Sequence, residues 1–255
     1  MKGESEWDSK YKTMLERSPA MKKLGLLILS GFTLMLSGCS GINVLDPKSS
    51  TGKDQAYLIW LSLAIMTLVL VVVFVLFAYF VYKYRYSKAR KDYKPVDVDG
   101  NRKLELTYTI IPVILLIILA VPTVRITLEQ SPDTSASQTP EDGTTKIEVT
   151  GRQFEWEFKH ENGAEVKDEL VLPEDEDIEF NLHSEDLIHS FWIPELAGKV
   201  DVFPNKELTY IIRDVERGEY EGKCAEFCGV QHTNMTFSVK VISKEDYRAY
   251  INDLK

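Results

Sequence analysis

Tyr57 to Tyr82 runs for 26 positions without a charged residue, and Leu106 to Ile126 is interrupted only by Arg125. At about 1.5 Å rise per residue, each run reaches across the hydrocarbon core of a bilayer. Pro112 and Pro122 in the second run are tolerable in a membrane helix. The sequence therefore predicts transmembrane helices over 57–82 and 106–128, which excludes a single soluble domain. The connection 83–105 holds eight Lys and Arg (Lys83, Arg85, Lys88, Arg90, Lys91, Lys94, Arg102, Lys103) against four acids. By the positive-inside rule it is cytoplasmic, so both flanking ends face outward. Charge is segregated in the same way. Residues 1–128 carry 17 Lys and Arg against 10 acids, while residues 129–255 carry 13 against 29, a net −16. An external half this acidic excludes a nucleic-acid binder whose folded part is basic. Three cysteines are too few for a disulfide scaffold.

The N-terminus reads as a targeting segment. Met21-Lys22-Lys23 is a basic start, and Leu24–Leu36 is an apolar stretch too short to span comfortably. Leu36-Ser37-Gly38-Cys39 resembles a bacterial lipobox, which predicts a signal peptide over 1–38 and a lipid anchor on Cys39. Residues 1–20 are polar and read as a misplaced start ahead of Met21. Cys39 must then lie outside, the topology that the loop charge requires independently. Residues 39–56 become an external N-terminal segment.

Residues 129–145 are rich in Ser, Thr, Pro, Asp and Gly and read as a linker. Beyond them, apolar residues alternate with polar ones at Ile147/Val149, Phe154/Trp156/Phe158, Ile178/Phe180/Leu182, Leu208/Tyr210/Ile212 and Phe237/Val239/Val241. Period-two spacing punctuated by Gly and Pro predicts an all-β sandwich or barrel over 146–255. Lys244 to Leu254 reads as a short amphipathic helix, with Ser243 as N-cap and Asp246 three residues on.

Chemistry concentrates in one segment. Cys224, Cys228, His232 and Met235 fall within twelve residues. Thiolate, imidazole and thioether together favour copper over hard cations, and Met argues against structural zinc. Two thiolates at this spacing can bridge two metal ions, which calls for a second imidazole. His189, 35 residues before Cys224, is the best candidate. The competing reading is a Cys224–Cys228 disulfide, reasonable outside the membrane. His160 and His183 fit no part of the pattern.

Cys224-x₃-Cys228-x₃-His232-x₂-Met235, with Glu226 between the cysteines, resembles the binuclear CuA site of cytochrome c oxidase subunit II. The likeness extends over Gly151-Arg152-Gln153-Phe154-Glu155-Trp156 and Ser184-Glu185-Asp186-Leu187-Ile188-His189-Ser190 and covers nearly everything from Cys39 onward. It implies a cupredoxin-like β domain behind a two-helix membrane hairpin. Cys224 and Cys228 would bridge two coppers, and His189 and His232 would bind one each. Met235 sulfur and the Glu226 carbonyl would be weak ligands. The Glu226 carboxylate would reach a Mg²⁺ or Mn²⁺ shared with subunit I.

The resemblance also implies that the chain accepts electrons from a c-type cytochrome and passes them to heme in subunit I. There dioxygen is reduced to water and protons are pumped, so no catalytic residue lies in this chain. Subunit I would carry heme and CuB, and subunits III and IV would complete the complex. Phe154 and Trp156 stand where the family receives its electron, although the family usually has Trp in place of Phe154. Glu105 takes the place of a glutamate near a cytoplasmic proton pathway, and Asp201 that of a residue facing the heme propionates. A CuA-containing nitric oxide reductase subunit is an alternative. A quinol oxidase subunit II, which generally lacks these ligands, is another, and a thioredoxin-like copper chaperone a third. The expected setting is the bacterial cell membrane, with the β domain on the outer side.

Overall fold

The computed structural model describes residues 27, 30, 43–85, 100–132 and 143–254. The proposed signal peptide and lipobox at Cys39 lie outside the described residues, as do most of the connection 83–105 and of the linker 129–145. Met1–Ile42 forms one unit, in which Leu27 and Ser30 are both helical. Everything below concerns the second unit, Asn43–Lys255.

Helix α1 spans Ser50–Tyr84 and helix α2 Arg102–Gln130. Both are long and apolar enough to cross a membrane. They start ahead of the apolar runs because side-chain caps, rather than hydropathy, begin a helix. Ser49 Oγ accepts from the Gly52 amide, and Asn101 Oδ1 accepts from Lys103 and Leu104. The first turns of α1 bury Thr51, Gly52 and Ala56, whereas the apolar side chains from Ile59 onward face outward, as a lipid-facing surface requires. The outward ends of the two helices are clamped together. Gln55 Nε2 donates to Gln130 Oε1 at 2.8 Å, and Gln130 Nε2 donates to the Thr51 carbonyl at 3.3 Å.

The remainder is a β-sandwich of two five-stranded sheets. One has the order β3-β2-β1-β5-β8: Glu165–Lys167, Glu155–His160, Thr145–Arg152, Ile178–Ser184 and Leu208–Ile212. The other has the order β4-β10-β9-β6-β7: Glu169–Pro173, Thr236–Ile242, Gly218–Cys224, His189–Trp192 and Val200–Val202. β1 runs parallel to β5 and β10 parallel to β4; the other pairings are antiparallel. The five alternating runs correspond to β1, β2, β5, β8 and β10. Their in-facing residues, among them Ile147, Trp156, Phe180, Ile212 and Val239, fill the core. Phe154 departs from that pattern. It sits in the β1–β2 turn and is half-buried.

Five strands carry no readable alternation. β3 and β7 have three residues each and β6 has four, too short for a period to show. β4 is buried along nearly its whole length. β9 places Gly222 where an inward side chain would be expected. Helix α3, Lys244–Asp253, starts at Ser243, whose Oγ accepts from the Asp246 amide at 3.1 Å.

The segment before α1 ties the helices to the sandwich. Lys48 N–H donates to the Glu195 carbonyl at 2.7 Å, and Glu216 N–H donates to the Lys48 carbonyl at 2.8 Å. Ser50 N–H donates to the Arg213 carbonyl, Arg213 N–H donates to Thr51 Oγ1, and Lys53 pairs with Glu216 at 2.6 Å. Backbone bonds of this kind hold the β domain in a set position relative to the helix ends.

Candidate metal centre

Cys224 ends β9 and His189 begins β6. Phe191 and Cys224 are antiparallel partners, so His189 stands two residues along the neighbouring strand from Cys224. The loop after Cys224 returns through a 3₁₀ turn, His232–Asn234, to Met235, whose carbonyl accepts from the Cys224 amide at 2.9 Å. Ala225 N–H donates to the Ser190 carbonyl at 2.9 Å, pinning the loop to β6. Gly229 adopts φ 133°, which disfavours any residue with a side chain. A Cβ there would also fall 2.9 Å from Gln153 Nε2 and 3.1 Å from the Phe154 ring.

These constraints bring the soft donors together. Cys224 Sγ lies 3.8 Å from Cys228 Sγ, 3.9 Å from His189 Nδ1 and 3.3 Å from the Glu226 carbonyl oxygen. Cys228 Sγ lies 3.6 Å from His232 Nδ1 and 3.7 Å from Met235 Sδ. Ligand atoms of His189, Cys224 and Cys228 all fall within 4.8 Å of one another. Both thiols are free, and their separation far exceeds the roughly 2.05 Å of a disulfide. Two thiols between two imidazoles, with a thioether and a carbonyl alongside, suit a pair of soft metal ions. Cys224, Cys228, His189 and Met235 are buried, whereas His232 is partly exposed.

Electrostatics favour one thiolate. Burial opposes ionisation of Cys224, but hydrogen bonds from His189 and the backbone outweigh it and bring the thiol down to about 6. Burial and the neighbouring Cys224 push Cys228 up to about 12. Burial works against protonation of His189, yet hydrogen bonds with Cys224 and Asp186 raise it above its usual value. Asp186 is the residue that sequence reasoning passed over. Its Oδ1 lies 2.8 Å from His189 Nε2. The available signal was a carboxylate three residues before a ligating histidine.

The remaining candidates are spread more widely. The Glu226 carboxylate is half-exposed and lies 3.6 Å from Lys199 Nζ, which also pairs with Asp201 at 3.0 Å. Trp156 is fully buried, with its ring 6.0 Å from that of His189, so no partner protein can touch it. Phe154 reaches Gly229 on the loop. Glu105 lies in the first turn of α2, at the end away from the sandwich. His160 is buried against Tyr247, and His183 lies on the face of β5 away from the core. Outside the helices, the exposed large apolar residues among the described ones are Leu45, Ile188, Phe227 and Val230. The last three flank His189 and Cys228. Phe227 is 77% and Val230 93% exposed, which leaves an apolar rim around the donors.

Residues 155–242 match the family described as cytochrome C oxidase subunit II, periplasmic domain, and residues 38–126 match its transmembrane domain. The cytochrome c oxidase subunit 2 of Alkalihalophilus pseudofirmus is 39% identical over 235 residues, spanning 89% of this chain and 67% of that protein. That of Bacillus subtilis is 36% identical, spanning 90% and 68%. The quinol oxidase subunit 2 of Bacillus subtilis is 32% identical, spanning 91% and 72%. Among solved structures, the periplasmic domain of subunit II of cytochrome oxidase of Bradyrhizobium japonicum aligns with a TM-score of 0.42 at 23% identity, covering 46% of this chain and 96% of that domain.

Proposed function

The chain belongs to the cytochrome c oxidase subunit II family, and from that premise we propose that it is the electron-accepting subunit of a respiratory terminal oxidase. It takes electrons one at a time from a c-type cytochrome and delivers them to a heme-bearing subunit I, where dioxygen is reduced to water and protons are pumped. The observation that carries this reading is the pair of free thiols 3.8 Å apart, set between two imidazole nitrogens at 3.9 and 3.6 Å. Family relatives that oxidise quinol raise the alternative donor, and the complete Cys, His and Met donor set favours the cytochrome.

Cys224, Cys228, His189 and His232 would hold two copper ions, with Met235 Sδ and the Glu226 carbonyl as weaker donors. When bound, the copper pair supplies a one-electron redox couple. The protein's part is to keep the donors where they are. Backbone bonds from Cys224 to Met235 and from Ala225 to Ser190 hold the loop rigid, so little rearrangement accompanies a change of charge. The apolar rim of Ile188, Phe227 and Val230 lets a redox partner exclude water on contact. The −16 charge of residues 129–255 would draw in a basic cytochrome, and Phe154 is the aromatic that partner can reach. The Glu226 carboxylate would take a Mg²⁺ or Mn²⁺ shared with subunit I, Glu105 would serve a proton pathway, and subunits III and IV would complete the assembly. Lipidation at Cys39 would add an anchor in the cell membrane.

Copper titration of the full-length chain with EPR tests the reading. A hyperfine pattern from one spin shared equally by two coppers, lost in Cys228→Ser, is the expected result. A single-copper signal, or a Cys224–Cys228 disulfide with no copper bound, would overturn it.

A further inference from the structure

A hydrogen-bonded bridge outside the donor set joins its two halves. Asp186 Oδ1 lies 2.8 Å from His189 Nε2 and accepts the Leu187 amide at 2.7 Å. Asp186 Oδ2 accepts the Gln153 amide at 2.8 Å. Gln153 Nε2, at the other end of the same residue, donates to the Cys228 carbonyl at 2.6 Å. The β1–β2 turn thereby links the β5–β6 segment carrying His189 to the loop carrying Cys228. Two glycines make room for it. A Cβ at Gly229 would fall 2.9 Å from Gln153 Nε2, and one at Gly151 would fall 3.1 Å from the Trp156 ring and 3.2 Å from the His189 ring.

A carboxylate accepting from one imidazole nitrogen fixes the tautomer and leaves the other nitrogen's lone pair free to ligate. Asp186 stands at Nε2, so in the neutral ring that a metal requires the lone pair is on Nδ1, the nitrogen facing Cys224 Sγ. The carboxylate is itself held by two backbone amides, so the ring cannot swing without breaking them. The Gln153 side chain carries the same constraint on to the Cys228 carbonyl.

We propose that Asp186 and Gln153 are positioning residues that together fix the His189 tautomer and set the His189 segment against the Cys228 loop. The assignment deepens the copper reading above and rests on it.

The test uses the full-length chain in detergent, with copper affinity measured by chelator competition and the His189 nitrogen coupling by pulsed EPR. Asp186→Ala is expected to lose about 10- to 100-fold in affinity and to change the nitrogen coupling. Asp186→Asn retains an acceptor for Nε2 and should recover part of both, and it serves as the readout if the alanine variant fails to fold. Gln153→Leu should weaken binding, and the double variant should lose less than the product of the two single losses. Glu185→Gln is the control. Its carboxylate contacts Arg152 rather than His189, so affinity should be unchanged. If Asp186→Ala matches the wild type, or if Glu185→Gln weakens binding equally, the positioning role is overturned and only general charge remains. A wild-type chain that binds no copper would overturn the functional reading and this inference with it.

Discussion

Gly222 on β9 and Phe237 on β10 are cross-strand partners, and a Cβ on Gly222 would fall 2.0 Å from Phe237 Cζ. The ring thus occupies the space a side chain would have filled. Phe237 in turn stacks on Phe191 at 5.4 Å, two residues from His189. Gly222→Ala is expected to destabilise the β domain by about 1–3 kcal/mol through overpacking, read as a lower unfolding midpoint of the full chain. An unchanged midpoint would mean the ring yields without cost.

Ser49 is fully buried. Its Oγ accepts from the Gly52 amide at 2.9 Å and donates to the Leu196 carbonyl. It therefore caps α1 and docks that helix on the sandwich with one atom. Ser49→Ala leaves both groups unpartnered, at a cost of about 1–3 kcal/mol. Hydrogen exchange should accelerate at Gly52 and in the first turn of α1. Protection equal to the wild type would contradict the docking role.

His160 packs its ring against Tyr247 and Tyr250 of α3. Burial holds its pKa below the usual 6.5. The folded state therefore binds fewer protons than the unfolded chain once pH drops below that value. Its contribution is fully present above about pH 6.5 and is lost as pH falls toward the depressed folded value. His160→Phe should flatten that part of the acid limb relative to the wild type. Parallel stability curves for the two proteins would reject this account.

Glu226 offers two different groups. Its carbonyl oxygen lies 3.3 Å from Cys224 Sγ, whereas its carboxylate faces Lys199. Glu226→Gln keeps the carbonyl, so copper content should remain unchanged while Mn²⁺ binding in the assembled oxidase weakens. Loss of copper in this variant would show that the side chain shapes the loop.

Hydropathy and spacing in the sequence determine which stretches can cross a bilayer, which five strands bury alternate residues, and which loop carries two thiols, an imidazole and a thioether. Each is a local property, set by helix rise, by the two-residue strand period or by donor chemistry. His189 was nameable as the missing imidazole, but its place beside Cys224 depends on the pairing of β6 with β9, and a four-residue strand has no period to announce that pairing. The turn position of Phe154 and the docking of residues 48–53 on the sandwich likewise came only with the fold. So did the Asp186–Gln153 bridge. Its partners are 33 and 75 residues apart in the chain. Alternation says which face of a strand is buried and nothing about what lies across from it, so contacts between distant segments are decided by packing and register alone.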